Sequence, residues 1–139
     1  MNTKKIKLIF FHPYSSIGGV DLSLSTIINN LNQKKYSIDF ICIRRSKNAI
    51  SLNRNVKIYE LKTTRTLFSF FKFRKIIKKN LNTNYEKTIL FSNQNFANVI
   101  LYFFTFNLRD KLKLIAFDRN HLDELNHFFL INDKFKKKI

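Results

Sequence analysis

The period of apolar and polar positions changes several times along this chain, and each change marks an element. Ile6–Phe11 is an apolar run rich in strand formers, the pattern of a strand covered on both faces in a parallel sheet. After a polar loop, Val20, Leu24, Ile27, Ile28 and Leu31 recur at helical spacing. Asp21, Ser25, Asn29 and Asn32 fall between them, which predicts an amphipathic helix with those four on other faces. Residues 36–43, YSIDFICI, read as a second strand, and residues 44–55 as a polar, basic loop. Residues 56–61, VKIYEL, alternate as a short edge strand does. Thr64 or Thr66 can cap a helix over about 66–80. A fourth strand is predicted at 87–91 and a third helix at 94–104, with Phe96, Val99, Ile100 and Phe103 sharing a stripe. A fifth strand at 111–117 and a helix at 122–131 complete the pattern, before the basic tail KFKKKI.

Strands alternating with helices predict an α/β fold, because each parallel step needs a crossover that lays a helix on one face. The expected architecture is one Rossmann-like three-layer domain, with a mainly parallel sheet of about five strands and helices on both faces. In such sheets ligands bind beyond the carboxyl ends of the strands. The loops that bear on function are therefore 12–19, 92–95 and 118–123.

Composition narrows this picture. The 139 residues suffice for one domain with a core but are short for an enzyme built from two. Apolar residues make up 45% and aromatics 15%, as in a folded protein. The formal charge of +17 attracts polyanions. It is mostly lysine, however, in a chain also rich in Asn, Ile and Phe, so part of it is attributable to coding bias. No recognition helix and no RNP-like or KH-like motif accompanies the charge, which argues against nucleic acid as partner. The single cysteine, Cys42, lies in an apolar run, cannot form an internal disulfide, and fits a reducing cytoplasm. The basic, apolar start resembles a signal peptide but runs into His12-Pro13 without a small-residue cleavage site, so secretion is not expected. The longest apolar segment, VILYFFTF, falls far short of the roughly 20 residues of a membrane span.

Both glycines of the chain, Gly18 and Gly19, stand where the first strand gives way to the first helix. Glycine there relieves strained backbone angles and admits a ligand, while the first free N–H groups of the helix favour an anion. A plain tight turn is the competing reading, and neither a dinucleotide fingerprint nor a Walker loop is present.

The stretch KIKLIFFHPYSSIGGVDLSLSTIINNL resembles the amino-terminal domain of glycosyltransferase family 4 enzymes of the GT-B class, with its Gly-Gly-x-acid turn. Asp21 stands at the acidic position, where Glu is more usual. The resemblance extends through VKIYELKTTRTLFSFFKFRKIIKKN, FSNQNFANVILYFF and KLKLIAFDRNHLDEL, nearly the entire chain, and is carried by the order and spacing of these segments. It implies sugar transfer from a nucleotide-sugar donor, as co-substrate, to a glycan or lipid-linked acceptor, with no other cofactor. By position it assigns Gly18 and Gly19, with Arg119 and Asn120, to the donor diphosphate or the acceptor, and His121 to the transferred sugar. The family's carboxyl-terminal donor-binding domain is missing from the sequence. The expectation is thus a truncated frame, a fragment, or a subunit completed by a separately encoded partner.

The remaining residues carry competing readings. His121 also suits a loop histidine bonded to backbone, and His12 lies near the same mouth without a role that its neighbours identify. Asp118 and Asp123 suit helix capping and pairing with Arg119 better than acid/base work. His121 and His127 are too far apart for one helical face, and no metal site is expected. Ser15 and Ser16 read as loop formers. In RTLFSFFKFRKIIKK the residues Phe70, Phe73 and Ile77 form one stripe, which leaves Leu67, Phe68 and Phe71 uncovered. Lys72, Arg74, Lys75, Lys78 and Lys79 accompany them. Phe68, Phe71, Lys72, Lys75, Lys78 and Lys79 are the candidate surface for an anionic membrane, or for a missing domain. The expected location is cytoplasmic, peripheral on the inner face of the cell membrane.

Overall fold

The computed structural model describes residues 4–81 and 83–117. The chain runs β1 (Ile6–Phe11), β2 (Tyr14–Ser15), α1 (Gly19–Asn30), β3 (Tyr36–Cys42), β4 (Arg44–Arg45), β5 (Lys57–Glu60), α2 (Ser69–Leu81), β6 (Thr88–Ser92), α3 (Asn95–Phe104) and β7 (Lys113–Ala116). Five strands form one sheet in the order β5-β3-β1-β6-β7, every pairing parallel. The architecture is Rossmann-like α/β, as the sequence predicts.

Strand alternation divides the core into two layers. Leu8 and Phe10 of β1 pack with Ile38, Phe40 and Cys42 of β3 against Leu24 and Ile28 of α1. Ile9 and Phe11 point the other way, to Phe73 and Ile77 of α2 and to Ala97, Leu101 and Phe104 of α3. Burial, with Glu60 nearby, pushes the Cys42 thiol up to about 12, so it stays protonated at neutral pH.

Several expectations are corrected. Asp21 and Ser25 are buried, not on a solvent face of α1. Loop 44–55 contains β4, which pairs in parallel with β2 as a small second sheet above the first. Thr66 does not cap α2. It opens a short 3-10 turn, Thr66–Phe68, its carbonyl accepts from Ser69 Oγ, and its own hydroxyl meets Tyr14. On α3 the predicted stripe is largely the outer face: Phe96, Val99 and Phe103 are exposed, and Ala97, Ile100, Leu101 and Phe104 are buried. The helix predicted at 122–131 lies outside the described residues.

A polar cluster crosses the amino end of the sheet on the α2 side. Lys7 Nζ donates to Asp39 Oδ1 at 2.5 Å and to Ser37 Oγ at 3.1 Å. Asn80 of α2 donates to Asp39 Oδ2 at 3.1 Å and to the Ile76 carbonyl at 3.0 Å. The Tyr85 hydroxyl meets Ser37 Oγ at 3.2 Å, and the Lys7 ammonium stands over the Tyr85 ring. A charge taken out of water survives only when so partnered.

Candidate functional site

The sheet order places a topological switch point at β1 and β6. From β1 the chain builds outward through β3 to β5, then returns to lay β6 on the other side of β1. The segment after β1 leads to α1 on one face, and that after β6 leads to α3 on the other. A crevice therefore opens beyond the carboxyl ends of these two strands.

His12 is the first residue past β1 and Asn93 the first past β6, and both are buried. His12 Nδ1 lies 3.1 Å from Asn93 Oδ1, and Nε2 lies 3.0 Å from Asp21 Oδ1 in the first turn of α1. The backbone N–H of Ser16 donates to the same Asp21 oxygen at 3.0 Å, and the Ser16 hydroxyl donates to Oδ2 at 3.4 Å. Asp21 thus turns back on the loop, tying β1, the loop and α1 together.

Hydrogen-bond complementarity leaves this cluster incomplete. Nε2–H donates to the Asp21 carboxylate, so a neutral ring offers Nδ1 as an acceptor. A neutral ring therefore selects the half-turned Asn93 amide, with Nδ2 on the imidazole, whereas an imidazolium donates from both nitrogens and keeps Oδ1 there. Among the described residues Asn93 Nδ2 is buried without a partner, and the half-turn would only exchange it for Oδ1. Ser15 Oγ, on β2 between β1 and α1, is also buried and unpartnered among the described residues. Buried polar atoms left unmatched each cost about 1–3 kcal/mol, so they mark places where something else bonds.

Asn93 and Ser92 form the polar end of a cavity of about 200 Å³, walled by Leu8, Phe10, Leu24, Ile27, Phe91 and Phe117 among others. Phe10 and Phe91 stack at 4.9 Å and Phe91 and Phe117 at 6.1 Å, making a ladder of parallel rings across the sheet.

Gly18 and Gly19 lie at this same edge, where the sequence places them. The reason for glycine differs from the expected one. Gly18 is extended, at φ −152°, and neither glycine has a positive φ, so no strained angle requires them. A Cβ on Gly18 would stand in ordinary contact with Asp21, and one on Gly19 would meet nothing within 4 Å. Among the described residues, space is open over the start of α1 and no side chain caps that helix. Its first-turn N–H groups can take an anion, although the Asp21 carboxylate lies in the same turn and its charge is balanced only by its partners.

Arg119, Asn120 and His121, the other residues assigned to the donor, acceptor or sugar, lie outside the described residues, as do Asp118, Asp123 and His127. The described residues end just past β7, which lies beside β6. Sequence reasoning raised His12 without finding its partners and missed Asn93. Their common signal is position, each one residue past a core strand. Among the described residues, no three His, Cys, Asp or Glu side chains gather in a way that could hold a metal ion.

The candidate membrane or domain surface lies on α2 and the turn before it. Leu67, Phe68 and Phe71 are exposed, and Lys72, Lys75, Lys78 and Lys79 are exposed beside them, with Lys72 Nζ donating to the Leu61 carbonyl. Among the described residues no helix is long and apolar enough to cross a membrane.

Fold and site together define a class: a Rossmann-like α/β domain with an open, partly unsatisfied polar site at its switch point. No family model matches the chain, and no curated protein matches it.

Proposed function

We propose that the chain is the amino-terminal, acceptor-side half of a glycosyltransferase, moving a sugar from a nucleotide-sugar donor to a glycan or lipid-linked acceptor. The observation that carries this reading is the meeting, at one switch point, of the uncapped Gly18-Gly19 start of α1 with the incomplete His12–Asp21–Asn93 cluster. The helix N–H groups suit phosphate oxygens, and the free amide atom of Asn93 suits a sugar hydroxyl. The order of segments that resembles glycosyltransferase family 4 supports it from the sequence.

In the transfer, the bond from the sugar's anomeric carbon to the diphosphate oxygen breaks, and the diphosphate leaves with the electron pair. The acceptor oxygen bonds to that carbon and gives its proton to the departing diphosphate. Charge develops on the diphosphate, where preorganised N–H donors act. His121, with Arg119 and Asn120, completes the sugar and donor contacts in this reading. A donor-binding domain comes from a partner or from a longer chain. A lipid-linked acceptor calls for a cytoplasmic position at the inner face of the membrane.

The test is to mix or fuse the full chain with a donor-binding domain of this class and to follow donor hydrolysis and transfer. Activity is expected, and Gly19→Val is expected to abolish it, with unchanged thermal unfolding to verify the fold, as the open space around an added Cβ among the described residues allows. Unchanged activity in that variant would refute the site. Salt-sensitive RNA or DNA binding, without sugar-nucleotide binding, would replace the reading with a basic binding module. A chain that fails to fold as a soluble monomer would point to a non-functional remnant.

A further inference from the structure

The sheet face that carries α2 and α3 presents more apolar surface than the first of these helices alone suggests. On α2 and the turn before it, Leu67 is 77% exposed, Phe68 60% and Phe71 79%. On α3, Val99, Phe103 and the following Phe106 are 57%, 65% and 63% exposed. The two helices lie side by side. Phe70 packs its ring against Phe71 and against Phe104 of α3, at 5.2 and 5.3 Å. Arg74 then crosses from α2 to donate to the Phe104 and Phe106 carbonyls. The two outer faces therefore make one apolar surface, of a kind that seldom stands uncovered on a monomer.

Charge selects the occupant. Neither α2, SFFKFRKIIKKNL, nor α3, NFANVILYFF, contains an acidic residue, while Lys72, Lys75, Lys78 and Lys79 are exposed along α2. A second copy would bring the same lysines with no carboxylate on these helices to meet them. A nucleic acid would meet the charge and stack on the four phenylalanines, but it would leave Leu67 and Val99 without an apolar partner. Acyl chains accept aliphatic and aromatic side chains alike, and anionic headgroups accept the lysines. We propose that the outer faces of α2 and α3 together form a docking surface for an anionic lipid bilayer. Leu67, Phe68 and Phe71 enter it from one helix and Val99, Phe103 and Phe106 from the other, with the α2 lysines on lipid phosphates. This rests on the surface and not on the transfer reading.

The test is co-sedimentation of the full chain with vesicles of phosphatidylcholine, with and without phosphatidylglycerol, in the absence of sugar nucleotide or acceptor. Binding is expected only with phosphatidylglycerol. Phe68→Ser, in the turn before α2, and Phe103→Ser, on α3, are each expected to weaken it by about tenfold. Lys75→Gln and Lys78→Gln are each expected to weaken it by about fivefold. All four side chains are exposed, and unchanged thermal unfolding verifies that the variants fold. Absence of binding, or equal binding to both vesicles, overturns the proposal. So does full binding by Phe103→Ser, which removes α3 from the surface, or self-association that buries the same phenylalanines. Vesicle binding without any sugar transfer would leave this surface standing and sink only the enzymatic reading.

Discussion

The two ends of the sheet each hold a buried polar cluster, and the clusters differ in closure. At the amino end, the Lys7 ammonium and both Asp39 oxygens have partners, and Asn80, Ser37 and Tyr85 complete the set. At the carboxyl end, Asp21 is well bonded, yet one atom of the Asn93 amide and the Ser15 hydroxyl are buried with no partner among the described residues. A closed network fixes β1, β3 and α2 to one another and leaves none of its buried side-chain polar atoms without a partner. An open one, at the edge where α/β sheets bind ligands, has capacity for a ligand, and the fold tolerates its cost.

The largest expected effect lies at the closed end. Asp39→Ala leaves the Lys7 ammonium buried with only neutral partners and should destabilise the fold by about 3–5 kcal/mol in urea unfolding. Lys7→Met combined with Asp39→Leu removes both charges and should recover most of that loss, because the penalty comes from the orphaned charge. If Asp39→Ala costs less than the double substitution, the pair does not secure this end.

The same substitution at each end gives a sharper comparison. Asn80 donates two hydrogen bonds, one to a carboxylate, so Asn80→Ala should cost about 2–3 kcal/mol. Asn93 makes one contact, to His12, and already carries an unmatched atom, so Asn93→Ala should cost only about 1 kcal/mol. The order should invert for ligand: sugar-nucleotide binding is expected to fall with Asn93→Ala and to hold with Asn80→Ala. Equal stability losses, or binding indifferent to Asn93, would erase the distinction between the two ends.

Much of the closed scaffold was legible in the sequence, and the site was less so. The expected first strand matches β1 residue for residue, since burial on both faces leaves a run apolar but for Lys7, ended abruptly by His12-Pro13. The stripe on α3 came out on the wrong side because that helix is apolar nearly all round. Phe96, Val99, Ile100 and Phe103 fit helical spacing as well as Ala97, Ile100, Leu101 and Phe104, one residue on, and periodicity cannot choose between two apolar faces. Asp21 read as solvated because its type is normally exposed, and what buries it is bonding to His12 and Ser16. His12 and Asn93 are separated by 81 positions, and only the adjacency of β1 and β6 brings them together. A sequence announces local periods; a switch-point site is assembled from residues whose proximity no period encodes.

The smallest effect is the most diagnostic, because stability and binding should move in opposite directions. Gly19 sits in the first turn of α1 without a positive φ, and an added Cβ meets no atom within 4 Å. Gly19→Ala should therefore stabilise the protein by about 0.4–1 kcal/mol, by reducing the freedom of the unfolded chain. If glycine stands there for the sake of the fold, that gain comes without penalty and sugar-nucleotide binding is unchanged. If it stands there so that a diphosphate can approach the helix N–H groups, the methyl occupies the space the ligand needs, and binding weakens while the melting temperature rises. A more stable Gly19→Ala variant that binds as well as the parent would show that the open space above α1 is unused, and the carboxyl end would lose its claim to be the functional one.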